Sequence, residues 1–119
     1  MPVVISGEID LAHPDQREKV LIEAQPLIAA ALAEKGCVQY AWTADPAKPG
    51  RVHVFEEWAS EADLIAHLAD EPYRQMRDHL GAAGLKGADT RKYRVDLIEP
   101  VYDAQGNPRG DFFTAKPGS

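Results

Sequence analysis

The sequence holds a single cysteine, Cys37, among its 119 residues. One thiol cannot close an intrachain disulfide, and a cysteine metal cluster is excluded with it. No apolar run is long enough to span a bilayer, and no apolar leader-like stretch opens the chain. Positive charge is scarce, with 13 Lys and Arg against 19 Asp and Glu for a formal net charge of -6. That balance argues against a phosphate-backbone partner. Zinc-finger spacing, a glycine-rich phosphate loop and an arginine-rich run are all missing. Neither a nucleic acid nor a membrane is therefore expected as partner, and a cytoplasmic location is the simplest expectation. The chain also carries no internal repeat and no low-complexity tract.

What remains is the make-up of a globular protein, 45% hydrophobic and 27% charged. The length suits one domain. A domain this small buries only part of its surface, so pairing with a second copy would help it.

The segment VVISGEIDL at residues 3 to 11 alternates and predicts a strand. Val3, Ile5, Gly7, Ile9 and Leu11 share one face. A helix is predicted from about Pro14 to Lys35, with Pro26 kinking or breaking it and Gly36 stopping it. Residues 37 to 45 and 51 to 58 read as a strand pair joined by the turn DPAKPG. Ser60 is a good N-cap with Asp63 three residues on. The helix it opens runs to about Leu80, with a break at Pro72. GAAGLKGAD reads as a loop, and residues 91 to 98 as the fourth strand.

Strand, helix, strand, strand, helix, strand is the split βαβ order of a ferredoxin-like α+β fold. Two helices cover one sheet face, yet the strands carry apolar groups on both. A homodimer packed on the open face would explain this. Residues 1 to 98 are expected to form the domain. Residues 99 to 119 form an extension, read either as a small hairpin docked on the dimer or as a loose tail.

The stretch RVHVFEEWASEADLIAHL at residues 51 to 68 changes from a strand period to a helix period. Glu56 and Trp58 share a strand face, ~6.6 Å apart along the strand. His67 on the following helix can reach the same space from above. A histidine there can act as a base near neutral pH. A partly buried Glu56 can orient it or take a proton itself, and Trp58 can supply a wall or an N–H donor. The competing structural reading is a satisfied core histidine and a glutamate paired locally. Metal binding is not expected: His67 and Glu71 make only two ligands, and His53 and Glu57 lie ~13 Å apart. His13 and His79 read as helix-end residues.

The chain resembles the antibiotic biosynthesis monooxygenase family, which includes small quinol monooxygenases. The resemblance rests on the first strand, on EKGCVQYAWTADPAKPG at 34 to 50 and on FEEWASEADLIAHL at 55 to 68. It implies a dimeric ferredoxin-like α+β barrel. It also implies oxidation of a quinol or a phenolic polyketide-like aromatic by molecular oxygen without a cofactor. His67 is then the base, Glu56 the group that orients it and Trp58 the wall or donor. Tyr40, Tyr73 and Met76 line the substrate site. Many relatives carry a second histidine where this chain has Pro72, followed by Tyr73. Similar domains degrade haem, isomerise phosphates or have no known reaction, so a non-catalytic dimeric binder of small aromatic ligands is the alternative expectation.

Overall fold

The alternating segment VVISGEIDL forms β1 (Val3–Leu11) in the computed structural model, which describes residues 1–114. After it come a 3-10 turn (Pro14–Gln16), α1 (Arg17–Glu23), α2 (Gln25–Leu32), β2 (Cys37–Ala44) and β3 (Arg51–Trp58). Then follow α3 (Glu61–Leu68), α4 (Glu71–Ala83) and β4 (Leu85–Arg94). The sheet order is β2-β3-β1-β4, and every neighbouring pair is antiparallel. This is the expected ferredoxin-like connectivity. Among the described residues, no helix is long and apolar enough to cross a membrane.

The expected dimeric α+β barrel is corrected. The chain forms one open sheet with β2 and β4 as its free edges. Closing a sheet requires tilt and stagger spread over more strands, enough to surround a filled interior. Here the helices supply the second layer instead, on one face. The core lies between the layers and includes Val3, Ile9, Leu11, Val52, Trp58, Met76 and Leu80.

Both predicted helices are broken where proline stands. Pro26 and Pro72 each fall in the first turn of the second piece, where a missing N–H costs nothing. Ser60 caps α3 as expected: its hydroxyl accepts from the Asp63 N–H at 3.1 Å and donates to the Asp63 carboxylate at 2.9 Å. Gly36 has φ +79°, and a Cβ there would strike the Asp63 side chain. The turn after α2 is thus packed against the first turn of α3.

The fourth strand is also corrected. It begins at Leu85, inside the predicted loop, and ends at Arg94. Nearly all its residues are exposed, so the sequence shows no buried face to mark it. Its hold on the sheet is the backbone ladder to β1, in which Gly7 faces Thr90 and Ile5 faces Lys92. A Cβ on Gly7 would lie 2.2 Å from the Asp89 carbonyl oxygen. Gly7→Ala is therefore expected to push β4 outward and cost roughly 1–3 kcal/mol, the usual range for overpacking. A urea midpoint equal to the parent's would show that β4 yields freely.

Beyond Arg94 the chain leaves the sheet after one more bond, from the Val95 N–H to the Pro2 carbonyl. Residues 101 to 109 turn back on themselves: the Arg109 N–H reaches the Val101 carbonyl at 2.8 Å, and Asp103 caps the turn through Gln105 and Asn107. Ile98, Val101, Tyr102 and Phe112 stay exposed. The last five residues of the predicted extension lie outside the described residues. The radius of gyration is 16.8 Å, against about 13.5 Å for a compact chain of this length.

Candidate active site

The floor of the site is two rows of side chains that cross the sheet. Pairing places Tyr40, Glu56, Ile5 and Lys92 side by side, and Trp42, Val54, Gly7 and Thr90 in the next row. The roof comes from the broken second helix. Its first piece brings His67 and Leu68, and the restart at Pro72 turns Tyr73, Met76, Arg77 and Leu80 over the sheet. Between floor and roof lies a cavity of about 530 Å³, bounded mostly by apolar surface.

His67 is almost wholly buried, at 2% exposure. Its ring stacks on Trp58 with centroids 4.4 Å apart and meets Tyr40 and Tyr73 edge-on at 5.8 Å each. Nδ1 lies 3.0 and 3.1 Å from the two carboxylate oxygens of Glu34. Nε2 faces Glu56 Oε1 at 3.9 Å. That gap is beyond a hydrogen bond, but catalytic contacts are often long before substrate arrives. The Trp58 indole N–H donates to the same Glu56 oxygen at 3.0 Å.

Trp58 is fully buried and does not line the cavity. Its aromatic face supports His67, and its one donor is spent on Glu56. Glu56 and His67 do reach the cavity, as do Tyr40, Tyr73 and Met76. All six residues singled out in the sequence therefore belong to one assembly, five on the cavity and Trp58 beneath it.

Burial pushes the Glu56 carboxyl above its ordinary range, against the pull of the Trp58 N–H and the nearby imidazole, while Glu34 adds to the rise. Burial likewise pushes the Tyr40 phenol well up. The neighbouring Trp42 indole pulls the other way without reversing the rise, and its buried N–H meets no acceptor in bonding geometry. Tyr40 thus serves as a neutral hydroxyl near neutral pH.

The raised Glu56 value has a consequence for stability. A buried carboxyl of this kind keeps its proton where the unfolded chain has lost it. Its burial costs nothing below the ordinary glutamate range, and stability falls as pH rises from there through the folded-state value. Glu56→Gln keeps an acceptor for Trp58 and removes the charge. The urea midpoint of the variant is expected to gain on the parent's as pH rises from the ordinary glutamate range through the raised folded-state value. A difference that stays flat with pH would remove burial as the cause.

Sequence reasoning missed Glu34, the group in bonding contact with His67. One signal was present: an acidic residue just past the C-terminus of α2, where the helix dipole favours a cation. It also missed the cationic rim of Arg77, Arg91 and Lys92, two of which lie on the strand read partly as loop. Among the described residues, no three His, Cys, Asp or Glu side chains converge as a metal site.

A family model described as antibiotic biosynthesis monooxygenase matches residues 2–79. Comparison with curated proteins finds no match. Several solved structures are similar. A conserved protein from Methanosarcina mazei Go1 has 20% identity and a TM-score of 0.71, over 79% of this chain and 92% of its own. Rv0793 from Mycobacterium tuberculosis has 22% identity and a TM-score of 0.69, over 83% and 98%. PA3566 from Pseudomonas aeruginosa has 26% identity and a TM-score of 0.66, over 79% and 94%. These likenesses establish the fold.

Proposed function

The chain belongs to the antibiotic biosynthesis monooxygenase family, and from that premise we propose that it oxidises a quinol or phenolic aromatic with molecular oxygen in this cavity. The observation that carries the reading is the buried His67 beside Glu56 at the edge of an aromatic-walled cavity that suits a flat ligand.

Ground-state oxygen is a triplet and reacts slowly with closed-shell molecules. A deprotonated, electron-rich aromatic overcomes this by giving up one electron. His67 Nε2 takes the substrate hydroxyl proton, on the side of the ring that Glu56 faces. Arg77, Arg91 and Lys92 offset the negative charge of the aromatic anion. The anion passes an electron to oxygen, and the radical pair collapses to a peroxide on the ring system. The peroxide forms on a ring carbon that still bears hydrogen; the stored proton returns to make the hydroperoxide, and that carbon's proton then leaves with the outer hydroxyl as water as the O–O bond breaks, giving a new carbon–oxygen double bond. Oxidation of the organic carbon supplies every electron that oxygen takes up, so no outside reductant enters. The apolar walls around the anion limit its contact with bulk water.

The test is oxygen uptake by the purified protein against naphthoquinols and anthrones, corrected for autoxidation. Saturable uptake is expected with at least one of them. Uptake equal to background across the panel would discard the oxygenase reading in favour of a binder of aromatic ligands.

A further inference from the structure

We propose that Glu34 is the positioning residue of the site, fixing His67 as the Nδ1–H tautomer so that a bare Nε2 faces the cavity. The assignment rests on the reading of His67 as the base.

Two carboxylates flank the imidazole, and the geometry gives them different tasks. Glu34 touches Nδ1 with both oxygens at 3.0 and 3.1 Å. Only an N–H can face an ionised carboxylate at that distance. With Nδ1 protonated, neutral His67 has its free lone pair on Nε2, on the side of Glu56 and the cavity. Glu56 is the weaker candidate for orientation, because its near oxygen already accepts from Trp58 and lies 3.9 Å from the ring.

The placement of Glu34 has no local explanation. It follows the end of α2, where a negative charge opposes the helix dipole. A turn holds it there: its N–H bonds the Ala31 carbonyl, its carbonyl accepts from Cys37, and the Gly36 carbonyl accepts from Ala59. Its contact in return is His67, whose side chain is 1% exposed against 13% for Glu34. Rotation of the ring is resisted by Trp58 below it and Tyr40 and Tyr73 at its edges. When Nε2 takes a proton, Glu34 stabilises the imidazolium until the proton is given back. An aspartate performs that office for the histidine of a serine-protease triad.

Two readouts test this. The first needs no substrate: long-range 1H–15N spectra of the labelled protein report which imidazole nitrogen of His67 carries hydrogen. Nδ1–H is expected in the parent and in Glu34→Gln, which keeps an acceptor, and is expected to be lost in Glu34→Leu. Nε2–H in the parent would overturn the assignment. The second uses 2-methyl-1,4-naphthoquinol as the oxygen-uptake probe. Glu34→Gln is expected to lower kcat by about 10²-fold with KM little changed, because it orients the ring without stabilising its charge. Glu34→Asp should recover part of the loss. An unchanged kcat in Glu34→Leu would also overturn the assignment. Should the parent fail to turn this quinol over, the same kinetics are read on a panel member that it does accept; should it accept none, the oxygenase reading falls, and the spectra alone decide for or against Glu34.

Discussion

Replacing His67 by alanine is expected to cut saturable oxygen uptake on naphthoquinols and anthrones by about 10²–10⁴, the range a positioned acid–base group contributes. The loss should fall on kcat, since the aromatic walls that bind substrate remain: Tyr40, Trp42, Tyr73 and Met76 all line the cavity independently of His67. Ligand binding measured by quenching of tryptophan fluorescence is then expected to survive. That pairing separates an oxygenase from a binder. Equal uptake in variant and parent would remove His67 as the base while leaving the reaction class standing. Loss of both binding and uptake would show that the imidazole is part of the wall rather than the chemistry.

Trp58→Ala is expected to be the most destabilising single change at the site, at about 3–5 kcal/mol. Trp58 is fully buried in β3 between Val3 and Cys37 on the neighbouring strands. Removing the indole opens a void under His67 and leaves a Glu56 oxygen without its donor. Trp58→Phe separates the two effects. It keeps a ring beneath the imidazole and should cost about 1–3 kcal/mol, largely for the unpaired buried acceptor. Urea unfolding at constant pH measures both. A loss under about 1 kcal/mol for the alanine variant would contradict the packing described here.

Much of the fold was legible because local chemistry and tertiary need coincide. Ser60 with Asp63, and the breaks at Pro26 and Pro72, are set by backbone rules that hold in any context. The inward face of β1 follows from simple alternation. Legibility stopped where a residue's partner is distant or is only backbone. The exposed side chains of β4 answer to solvent, and what makes it a strand is the ladder to Gly7 and its neighbours. Glu34 and His67 are 33 residues apart in sequence, and nothing in the spacing of either announces the other. Trp58 was read as a wall or donor facing the ligand, but its stack on His67 and its bond to Glu56 depend on how the helix crosses the sheet. The barrel was inferred from resemblance, which describes sheet topology well and says less about what each single sheet does at its edges.

The elongated outline of the chain also governs how the molecule moves through solvent. A body measuring 49 × 33 × 21 Å drags more water than a sphere of the same mass. Its elution from a sizing column will come early, and a calibration built on round proteins will overstate the 13.1 kDa chain. Early elution alone therefore cannot count subunits. Light scattering and sedimentation equilibrium weigh particles regardless of shape, and they are the measurements from which the number of chains per particle can be read.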